Sequence, residues 1–145
     1  MVSCIMPRGD FVPANTALSA LEVSLVIALS RVNILKRYIE MVKDAYDYIL
    51  IDCMPSLGMI TINALVVADS VLIPVQAHYL PTKGMTQLIQ TIHRVQHINA
   101  SLHILWVLMT MTDKCPNFTK DTSTPLRESY GEYQNVFKAG IPRAI

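Results

Sequence analysis

Asp52 closes the apolar run Tyr48-Ile49-Leu50-Ile51. A carboxylate held at the end of a buried strand can orient a Mg²⁺-bound water beside a nucleotide phosphate. The plainer role for such an Asp is to cap the turn running on through Cys53 to Ser56, and spacing alone favours the cap. His93 and His97 are four apart and could face the same way on a helix, as zinc ligands do. With no clear third ligand nearby, a solvated face is the better reading. Cys53 has no evident His or Lys beside it to lower its pKa, which points to a buried thiol rather than a nucleophile.

Such residues need a scaffold, and two hydrophobic periods alternate along the chain. Tyr48–Ile51, Val71–Val75 and Ile104–Met109 are short, continuously apolar runs. They fit strands covered on both faces, as in a parallel sheet flanked by helices. Helical patterns lie between them. Ser19 and Glu22 have capping-box spacing ahead of Leu21, Leu25 and Leu29. A second helix starts near Asn33, with Leu35, Tyr38, Ile39, Val42 and Tyr46 on one face and Lys36, Arg37, Glu40 and Lys43 on the other. A helix from about Gly58 to Ala68 links the first two strands. Met85, Leu88, Ile92 and Val95 form another stripe before the Trp106 strand. Thr124-Pro125 reads as a helix start, and Val136-Phe137 as a last short strand before a Gly140-Ile141-Pro142-Arg143 loop. The alternation predicts an open α/β sheet, whose ligands sit beyond the carboxyl ends of the strands.

Composition agrees with one packed domain over residues 1–145. The 145 residues are 52% hydrophobic and 16% charged, which excludes a disordered chain. A net charge of +1 lacks the strong basic signature of a dedicated nucleic-acid binder. Asp69 interrupts the longest apolar candidate, Ile60 to Val75, so no membrane span is expected. Cys4, Cys53 and Cys115 are odd in number and far apart, as reduced thiols of a cytoplasmic protein would be.

The segment from Tyr46 to Gly58, Tyr-Asp-Tyr-Ile-Leu-Ile-Asp-Cys-Met-Pro-Ser-Leu-Gly, resembles the Walker B and switch II region of the ParA/Soj/MinD partitioning ATPases. The resemblance continues through Thr61-Ile62-Asn63-Ala64-Leu65 and Ala68-Asp69-Ser70-Val71-Leu72-Ile73-Pro74-Val75-Gln76. Leu108-Met109-Thr110-Met111 followed by Asp113 is similar to the family's strand beside the adenine, and Ile141-Pro142-Arg143 to its late base-side loop. It is closest to the ParA/Soj branch of these deviant Walker A P-loop NTPases. The family fold is a three-layer α/β domain built on a mostly parallel sheet. The resemblance implies ATP-dependent partitioning of plasmid or chromosomal DNA, with Mg²⁺ and ATP as cofactors. Its implied partners are nonspecific DNA and a ParB-like protein that stimulates hydrolysis. Asp52 would support Mg²⁺ through water, and Pro55 and Gly58 would belong with Asp52 to switch II. Thr110, Met111, Pro142 and Arg143 would line the base side of the nucleotide. Lys114, Lys120, Arg127, Lys138 and Arg143 make the C-terminal third somewhat basic, but Asp113, Asp121, Glu128 and Glu132 dilute that charge. The MinD branch's amphipathic membrane helix has no counterpart here.

The family's Lys-Gly-Gly-x-Gly-Lys-[Ser/Thr] loop has no match. Gly9, Gly58, Gly84, Gly131 and Gly140 are scattered, and no phosphate cradle can be made from them. The chain thus resembles roughly the C-terminal two-thirds of a family member, without the P-loop strand and helix or switch I. Phosphoryl transfer depends on preorganised phosphate donors, so this chain alone is not expected to hydrolyse ATP. A partitioning ATPase and a catalytically inactive interaction module both remain open. An absent P-loop strand would leave sheet edges and apolar faces uncovered, which predicts a marginal monomer prone to self-association.

Overall fold

The computed structural model describes residues 4–6, 9–14, 24–25, 31–54, 56–76, 82–112, 136–137 and 139–143. The expected helix start at Thr124-Pro125, Cys115, the basic residues Lys114, Lys120, Arg127 and Lys138, and most of the Ser19–Leu29 helix lie outside them. Two compact units emerge, Met1–Asn63 and Ala64–Ile145.

In the first unit, strands β1 (Cys4–Met6) and β2 (Gly9–Phe11) pair antiparallel, with Cys4 opposite Phe11 and Ile5 opposite Asp10. Neither strand was expected, because three residues are too few to establish a period. Helix α1 (Ile34–Val42) follows the expected amphipathic pattern. Leu35, Tyr38, Ile39 and Val42 are half-buried, while Lys36, Arg37 and Glu40 are exposed. A 3₁₀ turn over Lys43–Ala45 ends it. The Tyr46 hydroxyl then donates to the Asp10 carboxylate. That bond, more than burial or the charge of Asp10, holds the Tyr46 phenol above its ordinary pKa.

Helix α2 (Met59–Val67) begins in this unit and contains the boundary between the two. Its polar residues Thr61 and Asn63 are buried and hydrogen-bonded. Asn63 Oδ1 accepts from the N–H groups of Ile34 and Leu35 at 3.2 and 3.4 Å. Asn63 Nδ2 donates to the carbonyls of Arg31 and Met59 at 2.7 and 2.8 Å. Asn33, at the head of α1, makes no side-chain cap of its own. Asn63 therefore supplies the cap that the first turn of a helix requires.

The second unit holds a parallel sheet in the order β3 (Ser70–Gln76), β4 (His103–Thr112), β5 (Ile141–Pro142), with helix α3 (Thr82–Gln96) crossing from β3 to β4. Ile73 pairs with Val107 and Val75 with Met109, which puts all four on one face, and all four are buried. Ala64, Leu65 and Val66 of α2, Met85, Ile92 and Val95 of α3, and Leu102 complete this core. Asn99 Nδ2 donates to the carbonyls of Leu65 and Ala68 at 3.2 and 2.7 Å, which closes the end of α2. The register skips Leu105, leaving it bulged and exposed.

Three expectations change. The continuously apolar runs implied cover on both sheet faces, yet Leu72 and Pro74 are exposed on the second face and Trp106 and Leu108 only half-buried. On that face Trp106 stacks on Phe137 with ring centroids 4.8 Å apart. Tyr48–Ile51 forms no ladder with any described strand. Its apolar side chains are competent for a sheet interior, but a strand exists only where a neighbour takes its backbone hydrogen bonds. Ile141-Pro142, expected as a loop, is strand β5, whereas Val136 makes only an isolated bridge to Val107.

Candidate functional site

The carboxyl ends of β3, β4 and β5 lie at the same end of the parallel sheet, and the sequence-derived base-side residues come together there. Thr110 pairs with Ile141 and Thr112 with Pro142, so the register skips Met111. Met111 bulges with φ 53, the left-handed region that a non-glycine residue adopts at a cost. Its side chain is exposed, and it lies between Thr110 and Thr112, which pair with Ile141 and Pro142 of β5. Backbone and threonine hydroxyl bonds fix this arrangement. The Arg143 N–H donates to the Thr112 carbonyl at 3.1 Å, and Thr112 Oγ1 donates to the Ile141 carbonyl at 3.3 Å. Thr110 Oγ1 donates to the Val75 carbonyl at 3.3 Å, tying β4 to β3 at the same level.

Two residues of this end were missed in the sequence. Thr112 is the buried hydroxyl that holds β5. Gly140 lets β5 approach, since a Cβ there would stand 2.7 Å from Thr112 Cγ2 and 3.3 Å from the Met109 carbonyl oxygen. A glycine immediately before Ile141-Pro142 was the available signal. Chemically, this end offers the soft apolar side chain of Met111 and the planar guanidinium of Arg143, which suit the face of an aromatic ring.

Asp52 and Gly58 lie in the first unit. Pro55 lies outside the described residues. Asp52 is exposed, and among the described residues nothing hydrogen-bonds its carboxylate. The following turn is built from backbone groups: the Ser56 N–H donates to the Met54 carbonyl at 2.7 Å. Thr61 Oγ1 donates to the Ser56 carbonyl at 2.7 Å, and the Gly58 carbonyl accepts the Ile62 N–H, so the turn is anchored to α2. Cys53 corrects the expectation of a buried thiol. It is exposed, in a segment with no strand neighbour among the described residues, and its Sγ donates to the Ile51 carbonyl at 3.8 Å. Local desolvation, then the negative charge of Asp52, pushes its pKa up, the opposite of an activated thiol. His93 and His97 are exposed on α3 or just beyond it, and His93 Nδ1 is 3.0 Å from Gln96 Oε1. Among the described residues no three His, Cys, Asp or Glu cluster as metal ligands.

An exposed carboxylate such as Asp52 suits Mg²⁺, which keeps several waters and binds through one or two carboxylates plus substrate phosphates.

A family profile described as AAA domain matches residues 2–104. Sporulation initiation inhibitor protein Soj of Bacillus subtilis is 44% identical over 137 residues, 94% of this chain and 53% of that protein. The chain belongs to the ParA/Soj-type ATPase family. The chromosome partitioning protein ParA of Caulobacter vibrioides is 35% identical over 143 residues, 97% of this chain and 53% of that protein. The chain therefore spans about half the length of the curated relatives it matches, less than the two-thirds suggested by the ParA/Soj resemblance. Cobyrinic acid a,c-diamide synthase from Mycobacterium smegmatis superposes with a TM-score of 0.89 at 32% identity, covering 98% of this chain and 58% of that one. That enzyme has also been solved with a bound ATP analog and magnesium. The fold class is α/β, a parallel sheet with flanking helices of the three-layer, P-loop NTPase-like kind. No helix among the described residues is long and apolar enough to cross a membrane.

Proposed function

We propose that this chain is a cytoplasmic ParA/Soj-like protein of plasmid or chromosome partitioning, a single ParA-like domain over residues 1–145. Thr110, Met111, Pro142 and Arg143 form the adenine side of its nucleotide site. Asp52 supports Mg²⁺ through water, with Pro55 and Gly58 in the same switch segment. The observation that carries this reading is the strained Met111, bulged between paired Thr110 and Thr112 at the carboxyl end of the sheet. Ligands of open parallel sheets bind at that end, and backbone strain of this kind clusters at ligand sites. Family membership extends the reading to a ParB-like partner and to nonspecific DNA. Deleting the gene tests it: the loss rate of the replicon it serves rises, and an unchanged loss rate overturns the assignment.

A second reading, an interaction module that does not turn over ATP, is favoured by the scattered glycines. The purified chain is then expected to release no phosphate from Mg²⁺–ATP. Release that disappears in Asp52→Asn would establish the ATPase instead.

A further inference from the structure

The first turns of α2 are bonded on two sides. Thr61 Oγ1 donates to the Ser56 carbonyl at 2.7 Å, and the Ser56 N–H closes on the Met54 carbonyl at 2.7 Å. Two residues further along, Asn63 Nδ2 donates to the Arg31 carbonyl at 2.7 Å, while Asn63 Oδ1 takes the N–H groups of Ile34 and Leu35. Positions two apart on a helix point about 200° away from each other, so the two anchors leave α2 in different directions. Thr61 and Asn63 are both buried. A buried polar group that loses its partner costs more than the bond itself contributes, so neither anchor is released cheaply. A displacement of the Ser56 carbonyl is therefore carried into α2, and through Asn63 into the head of α1. All these groups belong to the first unit, and Asp52 lies four residues before Ser56.

We propose that Thr61 and Asn63 are positioning residues that join residues 52–58 to the head of α1, so that the two move as one body and displacement of α1 resets Asp52. The consequence for Mg²⁺ rests on the reading of Asp52 given above; the linkage itself rests on the hydrogen bonds alone. Coupling of this kind is reciprocal: what disturbs either end is felt at the other.

The test is amide hydrogen exchange of the whole chain, resolved by NMR, with no nucleotide or metal present. Thr61→Val removes the bond to Ser56 and is expected to speed exchange at Ser56 at least fivefold. The informative result is at the far end, where the Ile34 and Leu35 amides are expected to exchange at least threefold faster, although the Thr61 hydroxyl bonds Ser56 and not α1. Asn63→Leu is expected to do the converse and speed Ser56. Thr61→Ser keeps the hydroxyl and is expected to restore native rates at both ends. Ile92→Val, a core truncation in the second unit, lowers global stability and is expected to leave all three amides unchanged. Effects confined to the bonded partner of each variant overturn the proposal, as does a Thr61→Ser protein that behaves like Thr61→Val. So do equal changes in Ile92→Val, which would trace them to global unfolding. If Asn63→Leu does not fold, the two Thr61 variants decide. Failure here overturns the linkage and not the Asp52 assignment, because no metal takes part in the measurement.

Discussion

Asn63 Oδ1 accepts the Ile34 N–H at 3.2 Å, so the first turn of α1 is capped by a side chain 29 residues further along the chain. With two acceptor and two donor bonds, Asn63 uses its full hydrogen-bonding capacity while buried. Replacing it leaves helix N–H and carbonyl groups without partners. Asn63→Leu is expected to cost about 2–3 kcal/mol in urea unfolding. Asn63→Asp keeps the cap to Ile34 and Leu35 but loses both donors, and is expected to fall between Leu and the native residue. A loss below about 0.5 kcal/mol for Asn63→Leu would contradict the clamp.

Gly140 and Thr112 are coupled by contact. Gly140→Ala places a methyl 2.7 Å from Thr112 Cγ2, which forces β5 away from β4. Overpacking of this kind costs about 1–3 kcal/mol. Thr112→Ser removes Cγ2 and keeps the hydroxyl that bonds the Ile141 carbonyl. The double variant is therefore expected to be more stable than the sum of the single losses. Thermal melts of the four proteins give the coupling energy, and strict additivity would mean that the close approach is relieved elsewhere.

Met111→Gly separates strain from function. The left-handed backbone costs a non-glycine residue about 1 kcal/mol, which glycine does not incur. The variant is expected to melt at or above the native temperature while losing any adenine-dependent stabilisation. Met111→Val, β-branched at the same φ, is expected to melt lower. Destabilisation by glycine and not by valine would refute the strain.

The contrast between β3 and the Tyr48–Ile51 run marks what the sequence makes legible. Both are apolar and of strand length, and both were expected in a sheet. Ser70–Gln76 has β4 beside it, whereas Tyr48–Ile51 has no described neighbour, and composition says nothing of a neighbour's presence. Helices α1 and α3 were legible because 3.6-residue periodicity is local to each, and α2 as the link between two strand-length apolar runs. Asn63 and Asn99 were not, since their partners are set by tertiary placement and no spacing announces them. Of the site, Thr110, Met111, Pro142 and Arg143 were named from the ParA/Soj resemblance. Thr112 became visible only with the register of β5, and Gly140 had no more signal than its place before Ile141-Pro142.

The exposed Cys53 thiol supplies a pH test. Its raised pKa means a smaller thiolate fraction than an ordinary cysteine at pH 8. Alkylation by iodoacetamide, read at the Cys53 peptide by mass spectrometry, is expected to be slower than in the unfolded chain. Asp52→Asn removes one of the two causes and is expected to speed it. The sign for stability follows. Below the unfolded-state pKa both states keep the proton, and above it the unfolded chain ionises first. Stability therefore declines as pH rises from that value through the folded pKa. Alkylation faster in the folded protein than in the unfolded one would contradict the direction of the shift.

The adenine-side assignment of Thr110, Met111, Pro142 and Arg143 is tested most directly by the thermal midpoint of the purified chain in millimolar Mg²⁺–ATP, Mg²⁺–GTP and Mg²⁺–tripolyphosphate. Specific binding to the folded state raises the midpoint, by about 1–2 °C for a ligand near its Kd. The expected result is a rise with ATP alone, lost in Met111→Gly. An equal rise with tripolyphosphate, or no rise with ATP in a chain that melts cooperatively, would contradict the assignment.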